Sequence, residues 1–425
     1  MTGKFRIACV IITLASFAVQ AAAQTEQNTA LLNGKWFDGK AFKARTMYSV
    51  DGRFTSKKPV KIDKTIDLSG LFLVPPLAEA HNHRPATGVE EWDRQAINNF
   101  LAGGVFYVKI MGNLPIGEDG KKALRLNRAN GLDAVFGQGS LTGSGGHPIG
   151  LIENVLMRQG YFPGFTKEQL RDHRYFTVDS AEELEKKWPM VLKNRPDHIK
   201  IMLWYSEEYE KRKSDPGFFS LRGLDPKLVP LIVQKARAAG LRVAAHVTST
   251  ADLKVAVDAG VYELAHIPLL GRELISEADA RSIAKKGIIV NTTARRAGEI
   301  IRLPRLGAPP NEQEQVAKIY LDNLRLLYKS GAKLVVASDD TSDTSVKEAL
   351  YLNGLGIFDT ATLLKMWTET TPLSIFPGRK IGQFAEGYEA SFIALEADPL
   401  ADLANVTKIK YRFKQGAPIE LPPGK

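Results

Sequence analysis

Short apolar runs alternate with amphipathic segments along most of the chain. Eight runs read as strands, at 71–77, 105–110, 134–139, 198–203, 242–247, 262–267, 288–292 and 333–338. Between them lie segments of helical period, such as "GVEEWDRQAINNFLAGG", "DPKLVPLIVQKARAAG" and "NEQEQVAKIYLDNLRLLYKSG". Several begin after Ser, Asp or Asn and end at Gly, the residues that cap helices. Eight strand–helix repeats predict an α/β fold, a (β/α)8 barrel of the TIM type. An open doubly wound sheet is the alternative, but the glycine fingerprint of a dinucleotide site is missing from its expected place.

The two ends have a different pattern. "NGKWFDGKAF" and "VDGRF" place Asn-Gly and Asp-Gly pairs between apolar residues, and read as hairpins. The final segment, from "GQFAEGYEASF" onward, again alternates apolar with polar positions. Each end is too short to bury a core alone. We therefore expect residues 24–70 and 380–425 to form one small composite β-domain, with the barrel spanning 71–379.

Residues 1–23 have the three parts of a signal peptide. Lys4 and Arg6 form the charged start, an apolar run follows, and Ala21-Ala22-Ala23 supplies the small residues before a cut at Gln24. The run is short of the ~20 residues that span a bilayer, which sets this reading above a membrane anchor. The expected location is periplasmic or secreted, without stable membrane association after cleavage. The one cysteine, Cys9, would be removed with the leader. That excludes a disulfide framework and a Cys-rich metal site, and suits an oxidising compartment.

Composition changes this picture little. The chain has 425 residues, 44% hydrophobic and 24% charged, which excludes global disorder. The net charge of +10 is spread among acids. There is no arginine-rich tail or aromatic RNA-binding signature, so nucleic acid is not an expected partner. A small-molecule substrate is expected, a peptide or a cyclic amide among the options, and a homo-oligomer is compatible with the sequence.

The candidate chemistry collects at strand ends, where barrel active sites sit. His81 and His83 follow the first strand in "VPPLAEAHNH", and alternation turns both to one side. His246 ends the fifth strand, His266 the sixth, and Asp339 the eighth. Lys200 lies inside the apolar fourth strand. Taken singly, each has an ordinary explanation: surface pair, packing histidine, snorkelling lysine or helix cap. Together they put six ligand-type groups at one rim.

This ordered set resembles the amidohydrolase superfamily, in its binuclear branch with a carboxylated lysine. "TGSGGHPIG" and "EGYEASFIALEADPLADL" are similar to sequences of imidazolonepropionase-related and metal-dependent dipeptidase members. The resemblance implies two divalent metal ions, with Zn2+ as the default. His81, His83 and Asp339 would hold one ion, His246 and His266 the other, and carboxylated Lys200 would bridge them. It further implies that a metal-bridging hydroxide attacks an amide-type C–N bond, with Asp339 moving the proton. Alternatives are a prolidase-like dipeptidase or carboxypeptidase, a lactone or phosphotriester hydrolase, and a non-catalytic periplasmic binding protein. Pro75-Pro76, Glu79 and Ser391 depart from the family pattern.

Three further residues are candidates for touching substrate. His147, in a glycine-rich turn, either polarises a substrate carbonyl or only closes the turn. Tyr205 follows the fourth strand. Arg295 either clamps a substrate carboxylate or is a solvated helix start. His198 reads as structural, and His173 as part of a solvated stretch.

Overall fold

The computed structural model describes residues 27–421. The segment read as a leader, with Cys9, lies outside the described residues. No described helix is long and apolar enough to cross a membrane.

The N-terminal strands are β1 (Thr29–Phe37), β2 (Phe42–Val50), β3 (Arg53–Thr55), β4 (Lys64–Asp67) and β5 (Phe72–Val74). Asp51 and Gly52 have φ of 50° and 69° in the two-residue turn between β2 and β3. Both values are positive, as a type I′ hairpin turn requires, so "VDGRF" is a hairpin. Asn33-Gly34 is not. It forms a bulge within β1, where the register against β2 shifts between Leu31 and Gly34.

The segment read as a first barrel strand at 71–77 divides in two. Pro75-Pro76 cannot donate ladder hydrogen bonds and breaks it. Its first part, β5, pairs with β1 in the small sheet. The barrel begins only at β6 (Leu77–Asn82).

The barrel continues with β7 (Val105–Ile110), β8 (Asp133–Phe136), β9 (Leu141–Thr142), β10 (Phe176–Thr177), β11 (Ile199–Met202), β12 (Val243–His246), β13 (Glu263–Leu264), β14 (Ile289–Asn291) and β15 (Lys333–Val335). All these strands pair in parallel. The third strand is interrupted: β8 meets the start of β11 through Asp197 N–H to Phe136 O (2.8 Å), and β9 then pairs with β11. Ala80 N–H to Val336 O (3.1 Å) and Asp339 N–H to His81 O (2.8 Å) join the eighth strand to the first. The protein is thus a closed (β/α)8 barrel with a small β-sheet. Its helices use the caps read from sequence. Ser180, Ser249 and Ser276 accept N-terminal amide hydrogen bonds, and Gly260 and Gly287 end helices in the left-handed conformation.

The chain's far end returns to the small sheet as β16 (Phe392–Leu395), β17 (Ile409–Lys414) and β18 (Ala417–Pro418). β16 lies antiparallel to β5, with Ala394 opposite Leu73. Fully buried Trp36 contacts Phe54, Phe384 and Phe392 edge-on, so both chain ends share one aromatic core. A buried ion network ties this sheet to the barrel. Lys414 Nζ donates to Asp133 Oδ1 (2.6 Å) and to the carbonyls of Gly131 and Arg128. Arg379 joins Asp133 (2.8 Å) to Glu389 (2.8 Å).

Removing one partner of a buried, satisfied pair leaves the other charge uncompensated. Lys414→Met is therefore expected to destabilise the fold by about 3 kcal/mol in urea unfolding. Lys254→Ala, which breaks an exposed i,i+4 pair with Asp258, is expected to leave the urea midpoint nearly unchanged.

Candidate active site

His81, His83, His147, His246 and His266 meet at the C-terminal mouth of the barrel. His81 lies within β6 and His83 just beyond it. His81 Nδ1 faces Ala265 O (3.1 Å), and His83 Nδ1 faces Gly112 O (3.0 Å). A backbone carbonyl can only accept, so both Nδ1 atoms carry the proton. This leaves both Nε2 atoms aimed at one point. There they lie 3.3 and 3.1 Å from Asp339 Oδ1. His266 is held by Thr293 Oγ1 (3.1 Å), and its Nε2 lies 4.0 Å from Asp339 Oδ2. His246 uses its other nitrogen: Nε2 meets Thr248 Oγ1 (3.2 Å), leaving Nδ1 open. Its ring centre is 4.7 Å from that of His266.

Burial sets the charge states. His81, His246 and His266 are buried, and desolvation pushes their pKa values well down, so the rings are neutral. Burial works against the Asp339 carboxylate too. Any proton that does enter the cluster sits on an imidazole, His81 first, and leaves Asp339 ionised, with its pKa well below the usual carboxylate range. Lys200 is 1% exposed and its Nζ has no hydrogen-bond partner. Desolvation brings its pKa down to about 7.

The local backbone is unusual. Tyr205, Thr293 and Asp339 follow the fourth, seventh and eighth strands with φ of 49°, 42° and 51°. Left-handed conformations cost non-glycine residues energy and concentrate at functional sites. Each is held by hydrogen bonds. Tyr205 N–H donates to Asp252 Oδ2 (3.0 Å), and Asp339 N–H to His81 O. Thr293 is followed by Ala294 and Arg295, whose amides donate to the buried Glu348 carboxylate. Glu79 accepts from His81 N–H (3.0 Å) and from Ser338 Oγ–H (2.6 Å), fastening the first strand to the eighth.

The three substrate candidates fare differently. His147 sits at the site: half-buried, its ring lies 5.0 Å from His246 and 4.7 Å from Trp204. Tyr205 turns away, its hydroxyl donating to Leu270 O (3.3 Å) and its ring covered by Arg212. Arg295 is not a free clamp, since its terminal nitrogens are committed to Asp340 and Glu299. Asp340 therefore has a structural task, also accepting from Ser342 N–H and Oγ–H.

Trp204, which the sequence reading passed over, stacks on His246 at 5.5 Å with planes 5° apart. The signal was present: Lys200 and Met202 alternate along β11 and Trp204 continues that spacing just past its end, which puts Trp204 on the side of Lys200. His173 is not merely solvated either, for it stacks on Phe165. His198 lies at the opposite mouth.

The donor set fits divalent ions. Oxygen and imidazole nitrogen suit zinc and its first-row neighbours. One ligand atom each from His81, His83 and Asp339 lies within 4.8 Å of the others. The orphaned Lys200 amine needs a partner that no described residue provides.

Known proteins share this architecture. The amidohydrolase family profile matches residues 218–419. An ochratoxinase of Aspergillus niger is 25% identical over 231 residues, covering 53% of this chain and 46% of that protein. The alignment thus spans about half the length of this curated relative. The crystal structure of A. niger ochratoxinase superposes with a TM-score of 0.72 at 18% identity, over 94% of this chain and 96% of that one. A Xaa-Pro dipeptidase with bound methionine gives 0.71 at 18% identity, over 93% and 100%. Phenylurea hydrolase B gives 0.67 at 16%, over 93% and 97%. Residues 218–419 thus carry an amidohydrolase family domain, on a barrel and two-ended β-sheet whose fold these solved structures share.

Proposed function

We propose that the protein is a metal-dependent hydrolase of an amide-type C–N bond. One observation carries the reading: a buried lysine amine without a protein partner, in the same barrel mouth as neutral imidazoles and an ionised carboxylate. A purely structural lysine would be paired, as Lys414 is with Asp133. The similar proteins, an ochratoxinase, a Xaa-Pro dipeptidase and a phenylurea hydrolase, are hydrolases by name and support hydrolysis. The dipeptidase favours a peptide among the substrates.

In this proposal His81, His83 and Asp339 hold one divalent ion, and His246 and His266 a second. Bound there, such ions would make water acidic enough to supply a nucleophile near neutral pH and would polarise the scissile carbonyl. Lys200 takes up carbon dioxide as its free amine. The nitrogen lone pair forms the new N–C bond, one proton leaves, and the resulting carbamate anion is an oxygen ligand. Burial favours this step because it keeps the amine unprotonated near neutral pH. Asp339 accepts a proton from the attacking water and returns it to the leaving nitrogen. Its Oδ2 suits this task, because Oδ1 already faces two imidazoles while Oδ2 has only the longer contact to His266. His147 donates to the substrate carbonyl, and Trp204 keeps its ring and that of His246 in place.

Two variants test the proposal. Elemental analysis of the purified protein is expected to approach two ions per chain. Lys200→Ala is expected to lose metal and activity together, with partial recovery of both in a short carboxylic acid. Full metal content in that variant would remove the bridge. Asp339→Asn keeps an oxygen ligand but cannot take up the proton. It is expected to retain much of the metal while kcat falls ~10²–10⁴-fold.

A further inference from the structure

The barrel has a second mouth. Where β11, β12 and β13 begin, away from the histidine cluster, a cavity of about 290 Å³ opens. Its polar walls are Lys109, Asp197, His198, Arg242, Glu263 and Arg379, and residues 375–379 close one side. Nothing in the proposed hydrolysis uses these groups.

Their hydrogen bonds do not close among themselves. His198 is 4% exposed, and neither ring nitrogen has a partner. Arg242 Nη1 is also buried without a partner, while its guanidinium lies over the Tyr262 ring at 4.5 Å. The other cations are spoken for: Lys109 pairs with Glu263, and Arg379 with Asp133 and Glu389. Arg242 is therefore the cation of the cavity without an acid among the described residues. A guanidinium in such a place is costly unless something accepts from it.

We infer that this cavity binds a small oxyanion that retains an O–H group. The fork of Arg242 matches two oxygens of such an anion, and His198 supplies another donor. The acids define the anion further. Asp197 presents a carboxylate that already accepts from Phe136 N–H (2.8 Å) through one oxygen. A fully deprotonated anion such as sulfate would face repulsion there. Bicarbonate or hydrogen phosphate offers an O–H that Asp197 can accept. The inference does not depend on the amide-hydrolase reading.

Calorimetric titration of the full chain, at matched ionic strength in chloride, separates the possibilities. Phosphate and bicarbonate are the two probes, and sulfate is the control lacking an O–H. The expected result is saturable binding of phosphate, bicarbonate or both, with sulfate weaker. Arg242→Met is expected to weaken binding by about tenfold or more, the factor for one lost charge-assisted contact. That variant keeps Lys200 and the histidines, so any response from the active site is common to both proteins. His198→Leu gives a second reading, with the same direction expected. Binding no stronger than in chloride alone, or unchanged affinity in either folded variant, would overturn the inference.

Discussion

A lysine amine held inside a barrel without a hydrogen-bond partner is the constraint around which this structure is organised. Charged ammonium is expensive to bury, and Lys200 has none of the hydrogen bonds that would offset it. Desolvation shifts the group toward its neutral form, which is a nucleophile and a poor cation. The surroundings agree with that state. Three nearby imidazoles are also driven neutral by burial, and the single carboxylate among them stays ionised. A mouth so arranged is rich in lone pairs and poor in protons, which is what cation binding needs.

The small sheet bears on the same constraint at a distance. It is made from both chain ends, and its strand β5 runs into β6, which carries His81. At the barrel's seam, Glu79 and Asp339 N–H bind the first strand to the last. Asp339 thus has its position set by backbone closure as well as by its own side chain. That closure holds it in a left-handed conformation an aspartate would not choose in isolation.

Much of this was legible in the sequence, and the reasons are physical. Alternation along a buried strand has a fixed period, so His81 and His83 read as one side of the first strand, while Lys200, His246, His266 and Asp339 were read from their places in or at the ends of other strands. The same period identifies Trp204, but aromatic residues after a strand usually read as core, and Tyr205 drew attention instead. What rules Tyr205 out is a left-handed backbone anchored by Asp252, forty-seven positions away in sequence. Arg295 failed for a similar reason, since its partner Asp340 follows a different strand. Proline at 75–76 moved the barrel's start, and Asn33-Gly34 made a bulge where a hairpin would look the same locally. Long-range partners, not local propensity, separate the correct readings from the wrong ones.

The central claim is that Lys200 is completed by a group from outside the chain. The most direct measurement is a crystal structure of the metal-loaded protein at atomic resolution, with anomalous data at the metal edge. The account predicts two ions between the histidines and Asp339, and density for a carboxylate extending from Lys200 Nζ to both. A single ion with a bare lysine amine, or a lysine turned to pair with an acid of the chain, would contradict it.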